Sequence, residues 1–401
     1  MWLIGLYIVA LLSLPVDIGL NVGGAVITPA RLVLLFAVVL ALLEWRFVLL
    51  NIGRLPKLVW VGWAAFLGAA LITAIVSPSV ASWARYVSIV GEGLVVFVLV
   101  CHAAGTPGGV RTLITVFAVT MVSVAAIVLL LAAMGQHYDY ILSGLAGTEP
   151  AGVASPRYGL ERQAGPFRAA LYFAIGLTAA SALLLPAIAR GATRTRSLAI
   201  AAWLLLLVAV IFLTASRLAM TTIFLIPAAY FLVRGPRLIG TASLVAAFAV
   251  ASGLTLLIPA SPVIEESNSL RLSAISPALQ AIAARPLFGW GLLNDMSVLS
   301  GILGTKNYVD DTYLSLAIET GLVGLGAFVL LAATIVAATL RDWSSARGLA
   351  LAIALASLLG MAVFASFLQS TQGYAAFFVL AALAVAAAVR SDERGQPEAA
   401  T

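Results

Sequence analysis

Charge is what this chain most conspicuously lacks. Only 9% of its 401 residues are Asp, Glu, Lys or Arg, where a soluble domain carries about 25%. With 63% of its residues hydrophobic, it has too little polar surface to cover a fold in water, and a bilayer is the solvent that fits. Cysteine is nearly absent as well. Cys101 stands alone, which excludes an internal disulfide, and together with only two histidines, His102 and His137, it leaves no ligand set for a protein-built zinc site. There is no Gly-x-x-x-x-Gly-Lys-Ser/Thr phosphate loop, so the chain carries no nucleotide-driven motor of that kind. There is no Asp-x-Asp nucleotide-sugar motif either. The net charge of +6 follows from membrane topology and calls for no nucleic acid.

What the chain has in abundance is apolar runs. A membrane helix needs roughly 20 predominantly apolar residues. Twelve candidates fall at about 2–15, 30–49, 57–76, 85–104, 111–134, 167–189, 198–214, 218–233, 238–258, 312–340, 348–368 and 373–389. The expected fold is therefore an all-α integral membrane domain over residues 1–390 with about twelve transmembrane helices. The first run lacks a basic start and a small-residue cleavage site, so it reads as a retained helix. Residues 391–401 are polar, charged and small, and are expected to form a disordered cytoplasmic tail.

Basic residues set the orientation. With the N-terminus inside, one set of short loops and the tail carries Arg46, Arg54, Lys57, Arg111, Arg190, Arg194, Arg196, Arg234, Arg237, Arg341, Arg347, Arg390 and Arg394, thirteen of the 22 basic residues. Short Lys/Arg-rich loops stay in the cytoplasm, and twelve spans then place both termini there. The remaining nine fall on the outer side: Arg31, Arg85, Arg157, Arg162, Arg168, Arg217, Arg271, Arg285 and Lys306. Singly, each is a headgroup contact or an ion-pair partner. As a set at helix mouths, they offer planar guanidinium forks matched to phosphate oxygens.

Two outer loops are long, about 135–166 and 259–311, and loops of this length in a compact fold usually carry function. In the second, Leu270, Leu272, Ile275, Leu279 and Ile282 form an apolar stripe at helical spacing, which predicts an amphipathic helix on the membrane or across the bundle mouth. Pro277 is the place where it would bend or break. The turn Pro286-Leu287-Phe288-Gly289-Trp290-Gly291 follows; two glycines flanking a tryptophan imply close backbone approach. Asp310 and Asp311 then stand at the mouth of the tenth span. Two acids lie inside spans, Glu92 and Glu319, and such groups are expensive in a bilayer. Asp311, Ser315 and Glu319 share one helix face. Glu319, about 12 Å below Asp311, either pairs with an outer arginine or sits as a neutral carboxyl. Gly321, Gly324 and Gly326 are expected to serve close helix packing.

Residues 271–328 resemble the core signature of the O-antigen ligase and O-antigen polymerase superfamily. The matching elements are Arg271, the 286–291 turn, and a polar pair followed by Leu314, Gly321 and Gly324. Glu161-Arg162-Gln163-Ala164-Gly165-Pro166-Phe167 is similar to the family's Arg-x-x-Gly-x-Phe stretch, and Ser216-Arg217 to its Ser-Arg turn. The resemblance covers roughly residues 155–330. The family's ligases carry His where this chain has Asp310, which points away from a lipopolysaccharide ligase and toward the Asp-containing polymerases and exopolysaccharide enzymes.

The resemblance implies a cofactor-free glycosyltransferase of the bacterial cytoplasmic membrane, acting on its outer face. Its donor would be a polyprenyl-diphosphate-linked glycan and its acceptor a glycan or lipid. Membrane lipids and envelope-assembly proteins are the further partners. Such transfer requires the diphosphate charge to be balanced and the acceptor hydroxyl to lose a proton. Arg162, Arg168, Arg217 and Arg271 are the diphosphate candidates. Asp310 is the candidate base, with Asp311 orienting the acceptor or capping the helix, His137 a rival base, and Glu319, Gly289 and Gly291 in support. A lipid-linked glycan flippase or transporter is the alternative from another class, and the sequence leaves polymerisation and ligation unseparated.

The orientation has a direct test. Cysteines introduced at Thr148 and Thr305 should react with an impermeant thiol reagent in intact cells, and one at Thr195 should not; labelling at Thr195 would invert the topology.

Overall fold

A computed structural model of the chain describes residues 1–15, 18–22, 25–77, 79–138, 140–142, 162–167, 169–189, 194–256, 262–292, 298, 300–301, 309, 311–364 and 370–395. Every apolar run of the sequence is helical within these bounds. The elements are α1 (Trp2–Ser13), a short antiparallel hairpin of β1 (Leu20–Val22) and β2 (Ala25–Ile27), α2 (Pro29–Leu43), α3 (Trp45–Gly53), α4 (Lys57–Val76) and α5 (Val80–Arg85). A π-helical segment, Tyr86–Gly91, leads into α6 (Glu92–Ala104). Then follow α7 (Gly109–Ala133), α8 (Ala170–Ala189), α9 (Arg194–Leu213), α10 (Arg217–Arg234), α11 (Arg237–Leu256), α12 (Pro262–Ala284), α13 (Thr312–Leu340), α14 (Ala346–Met361) and α15 (Thr371–Gly395). Helices dominate because hydrocarbon offers the backbone no partner, so each segment must satisfy its own N–H and C=O groups.

Seven of the described helices are long and apolar enough to cross a membrane, eight if α2 and α3 form one broken span. α1, parts of α9 and α11, and α14 are shorter apolar helices. The run at 30–49 is not one straight helix: α2 and α3 meet at an angle of 91° at Glu44. The hydropathy of the run hides this bend, because both arms are apolar. α15 continues to Gly395, so the first part of the segment expected as a disordered tail is helical.

The core is built around α15. Its membrane-crossing window is 94% buried, and Tyr374, Phe377, Phe378, Val379 and Leu380 are fully enclosed. A helix apolar on all sides belongs at the centre of a bundle. Aromatic rings lock it to α4 and α6: Trp63 lies 4.9 Å from Phe378 and 5.4 Å from Phe97, centroid to centroid. On the periphery, Leu35, Phe36, Leu42, Leu43 and Phe248 are exposed, as expected of side chains that meet lipid.

The second long loop folds back onto the bundle. α12 runs through Pro277 without ending. Its inward face is made of the small residues Ala274, Ala278 and Ala281, while Leu272, Ile275 and Leu279 of the apolar stripe point outward. These large apolar side chains therefore face away from the bundle, and Ala278 and Ala281 permit close approach to Val309 and Ile318.

α13 is interrupted at Gly321, where φ is 68° and ψ −173°. In an unbroken helix Leu322 N–H would donate to Ile318 C=O and Val323 N–H to Glu319 C=O. Instead Leu322 N donates to Pro286 O (2.7 Å) and Val323 N to Leu287 O (3.2 Å). The two stranded carbonyls accept from Trp290 N and Gly291 N, both at 2.9 Å. The 286–291 turn thus fills the gap in the helix with four backbone hydrogen bonds. Gly321 serves this approach and not helix packing: a Cβ there would collide with the Leu287 carbonyl. A Cβ on Gly289, itself at φ 66°, would sit 2.5 Å from the carbonyl oxygens of Ile318 and Glu319. Gly326 has open space around its Cβ position. The glycine that does admit a neighbouring helix is Gly62, whose Cβ would lie 2.9 Å from Leu331 Cα.

Gly321→Ala should therefore destabilise the protein by about 2 kcal/mol or more, through left-handed strain and collision. Gly326→Ala should stay within about 0.5 kcal/mol. Thermal unfolding in detergent measures both, and equal effects would remove the special role of Gly321.

Candidate functional site

The 286–291 turn is also bound from α4 and α5. Ser77 Oγ donates to Trp290 O (2.9 Å) and Ser82 Oγ to Leu292 O just beyond the turn (2.9 Å), while Thr73 Oγ1, which donates to Ala69 O at 3.0 Å, lies 3.4 Å from Phe288 O. Trp290 Nε1 donates to Ala281 O of α12 at 2.9 Å. The Arg285 guanidinium stacks over the Trp290 ring at 4.2 Å, a cation–π contact. The backbone of this turn is therefore held from several helices.

Asp311 caps α13. Its Oδ1 accepts from Tyr313 N (2.7 Å) and Leu314 N (3.0 Å). Burial pushes its carboxyl above the usual value of 3.8, against the two backbone donors that lower it. Of the two roles open to Asp311 in the sequence, capping is the one seen. Just below it, Tyr313 Oη donates to Leu359 O at the end of α14 (2.9 Å). Glu319 is buried, and its backbone carbonyl is one of those bridged by the turn. Asp310 and Arg168 lie outside the described residues, as does the side chain of Arg271, whose backbone is within α12.

Arg162 and Arg217 are brought to one place. Arg162 Nε donates to Thr214 O at 3.1 Å, and Gln163 N to Leu213 O at 3.1 Å. The Arg162 stretch is thereby tied to the connection between α9 and α10, which ends in Ser216 and Arg217. Ala215 in this connection has φ 49°, a conformation costly for a residue with a Cβ and typical of functional turns. Four residues beyond Arg162, Pro166 O accepts from Gln372 Nε2 (2.9 Å). The same Gln372 amide reaches Leu11 O (3.2 Å) and Leu14 O (3.0 Å). The starts of α8 and α15 and the end of α1 thus converge on one buried glutamine, which the sequence reading did not single out.

Glu92 finds its partner in Arg31, with Nη2 and Nε of the arginine 3.0 and 3.2 Å from Glu92 Oε2. Tyr374 Oη donates to the same oxygen at 2.9 Å. This charge pair, mostly withdrawn from solvent, joins α2, α6 and α15; removing one partner of such a pair typically costs 3–5 kcal/mol. Arg31 is held by Glu92 in a structural role. His137 stacks edge-on against Tyr140 at 5.2 Å, near Tyr138, whose hydroxyl donates to Ser13 O.

The result is a polytopic helical membrane protein in which Asp311, the Arg162–Thr214 contact, Gln372 and the Arg31–Glu92–Tyr374 cluster stand toward one end of the bundle. Residues 182–329 match the family model described as O-antigen ligase. No curated protein matches the chain. A chain of a solved complex, described as "Structural coordination of polymerization and crosslinking by a peptidoglycan synthase complex", is 19% identical over 85% of this chain and 99% of that one, with a TM-score of 0.49.

The raised Asp311 carboxyl has a pH signature. A folded-state value above the unfolded 3.8 means that stability is greatest with the carboxyl protonated and falls as pH rises from about 3.8 through the folded value. Asp311→Asn keeps a capping oxygen and does not titrate. The stability of the native protein relative to Asp311→Asn should therefore decline as pH rises across that window and then level off. A native advantage that grows with pH would contradict the burial argument.

Proposed function

We propose that this protein is a membrane glycosyltransferase that polymerises or ligates glycans from a polyprenyl-diphosphate-linked donor at the outer face of the cytoplasmic membrane. The observation that carries the reading is the Arg162–Thr214 contact. It joins two elements separated in sequence, the Arg162 stretch and the Ser216-Arg217 turn, at the end of the bundle where α13 begins. Both arginines then stand beside a strained connection at the membrane surface, where a diphosphate headgroup of a lipid carrier would lie.

In the proposed reaction the acceptor hydroxyl oxygen attacks the anomeric carbon of the donor sugar. The bond from that carbon to the diphosphate oxygen breaks, and the polyprenyl diphosphate leaves with the electron pair. Arg162 and Arg217, with Arg168 and Arg271 completing the set, balance the developing charge. Asp310 takes the hydroxyl proton. Asp311, already capping α13, fixes the direction from which its neighbour reaches the acceptor. The bridged turn at Gly289 and Gly291 holds the mouth of α13 in place, and Glu319 lies one layer below. The chemistry draws on no cofactor.

Purified protein in liposomes, incubated with lipid-linked oligosaccharides, should yield glycan ladders if it polymerises and single-step products if it ligates. Asp310→Asn should lower turnover by roughly 100-fold or more, with donor binding retained. Arg162→Lys and Arg217→Lys keep the charge and lose the fork, and each should lose about tenfold or more in turnover, the worth of a charge-assisted hydrogen bond. Full activity in all three variants would remove the assignment, and donor translocation without product would favour a flippase.

A further inference from the structure

At the opposite end of α13 from Asp311 lies a cavity of about 200 Å³, lined by Arg111, Arg347, Arg390, Asp342, Ser345 and Gly108 among others. Each arginine comes from a different helix. Arg111 is in the first turn of α7, Arg347 in the first turn of α14, and Arg390 toward the end of α15. Arg390 is braced at the wall through a hydrogen bond from Nη2 to Gly105 O. Two helix N-termini, those of α7 and α14, add their positive ends to the same space; α7 has no side-chain cap.

Within this cationic surround sits a carboxylate. Asp342 is 4% exposed. Its Oδ2 accepts from Ser345 Oγ at 2.8 Å, and Ser345 Oγ in turn accepts from Gly348 N at 2.9 Å, capping α14. Its Oδ1 is enclosed and has no hydrogen-bond partner among the described residues. Asp342 lines the cavity together with the three arginines, so an occupant that presents a hydrogen-bond donor beside its phosphate matches both signs of charge in the lining. Arginines that only kept a loop in the cytoplasm would need neither a cavity nor this acid.

We propose that the cavity binds a phosphodiester that carries its own hydrogen-bond donor, an ammonium or a hydroxyl. The phosphate oxygens meet the guanidinium groups of Arg111 and Arg347, and the donor faces Asp342. Phospholipid headgroups of the ethanolamine and glycerol types have this chemistry, as does a soluble glycerol phosphodiester. A choline headgroup has the phosphate but no N–H or O–H to give. The site is separate from the glycan chemistry assigned to the other end, and it stands or falls without it.

The test is lipid retention by the full chain, purified from mixed micelles holding equal amounts of phosphatidylethanolamine, phosphatidylglycerol and phosphatidylcholine and read by native mass spectrometry. The native protein should keep a bound ethanolamine or glycerol lipid in preference to choline lipid. Arg111→Gln combined with Arg347→Gln should weaken retention by about tenfold or more, with an unchanged gel-filtration profile as the folding control. Asp342→Asn should still bind lipid phosphate but lose the discrimination against choline. In a parallel arm, displacement of the lipid by glycerophosphoethanolamine at millimolar concentration would make the soluble diester the occupant; resistance to displacement would make it the lipid. Retention of all three lipids alike, unaffected by the arginine substitutions, would overturn the proposal.

Discussion

The gap at Gly321 is the constraint on which the Asp311 end of this protein depends. A helix interrupted in an apolar surround strands two N–H and two C=O groups, and each unsatisfied group costs several kcal/mol in hydrocarbon. The 286–291 turn resolves this by supplying two carbonyls to Leu322 and Val323 and two N–H groups to Ile318 and Glu319. Neither partner can do without the other. The turn has no regular structure of its own to satisfy those backbone groups, and the helix has no continuous ladder. Because Gly289 and Gly321 each approach the partner's backbone more closely than a Cβ would allow, the contact specifies glycine on both sides.

The geometry of the candidate site follows from this junction. α13 must begin at a set height and angle, since its second half packs along α4 through Gly62 while its first half is pinned by the turn. Asp311 then caps a helix start that cannot slide. The turn and the residue after it are gripped by Ser77 and Ser82. Elsewhere at the same end, Gln372 and the Arg31–Glu92–Tyr374 cluster tie the central α15 to α1, α2, α6 and the stretch before α8. Buried polar contacts in a membrane protein are placed where position matters. Here they make a rigid rim around the connections that carry Arg162 and Arg217.

Much of this was legible in the sequence. The apolar runs are the helices, because spanning length and hydropathy answer directly to bilayer thickness. The pairing of Gly289 and Gly291 around Trp290 announced close backbone approach, and Asp311 announced a cap. What stayed hidden has physical reasons. Hydropathy is blind to direction, so the run at 30–49 concealed the 91° bend at Glu44. Periodicity marked the large side chains of α12 but not which side they take; in a membrane the large apolar residues face outward and the alanines inward. Gly321 looked like a packing glycine, since a backbone break in a span leaves no mark in composition. Arg31, one of nine basic residues expected on the outer side, and Glu92, one of two acids within the apolar runs, were each visible, but their pairing across 61 positions needed coordinates.

The central claim, that the turn and the broken helix form one hydrogen-bonded unit, is most directly tested by amide hydrogen exchange of the protein in lipid nanodiscs, resolved at Trp290, Gly291, Leu322 and Val323. The account predicts that these four amides are protected to a similar degree and lose protection together when Gly289 is replaced by Ala. Slow exchange at Leu322 and Val323 with fast exchange at Trp290 and Gly291, unaltered by that replacement, would mean a continuous helix with a loose loop beside it, and would contradict the account.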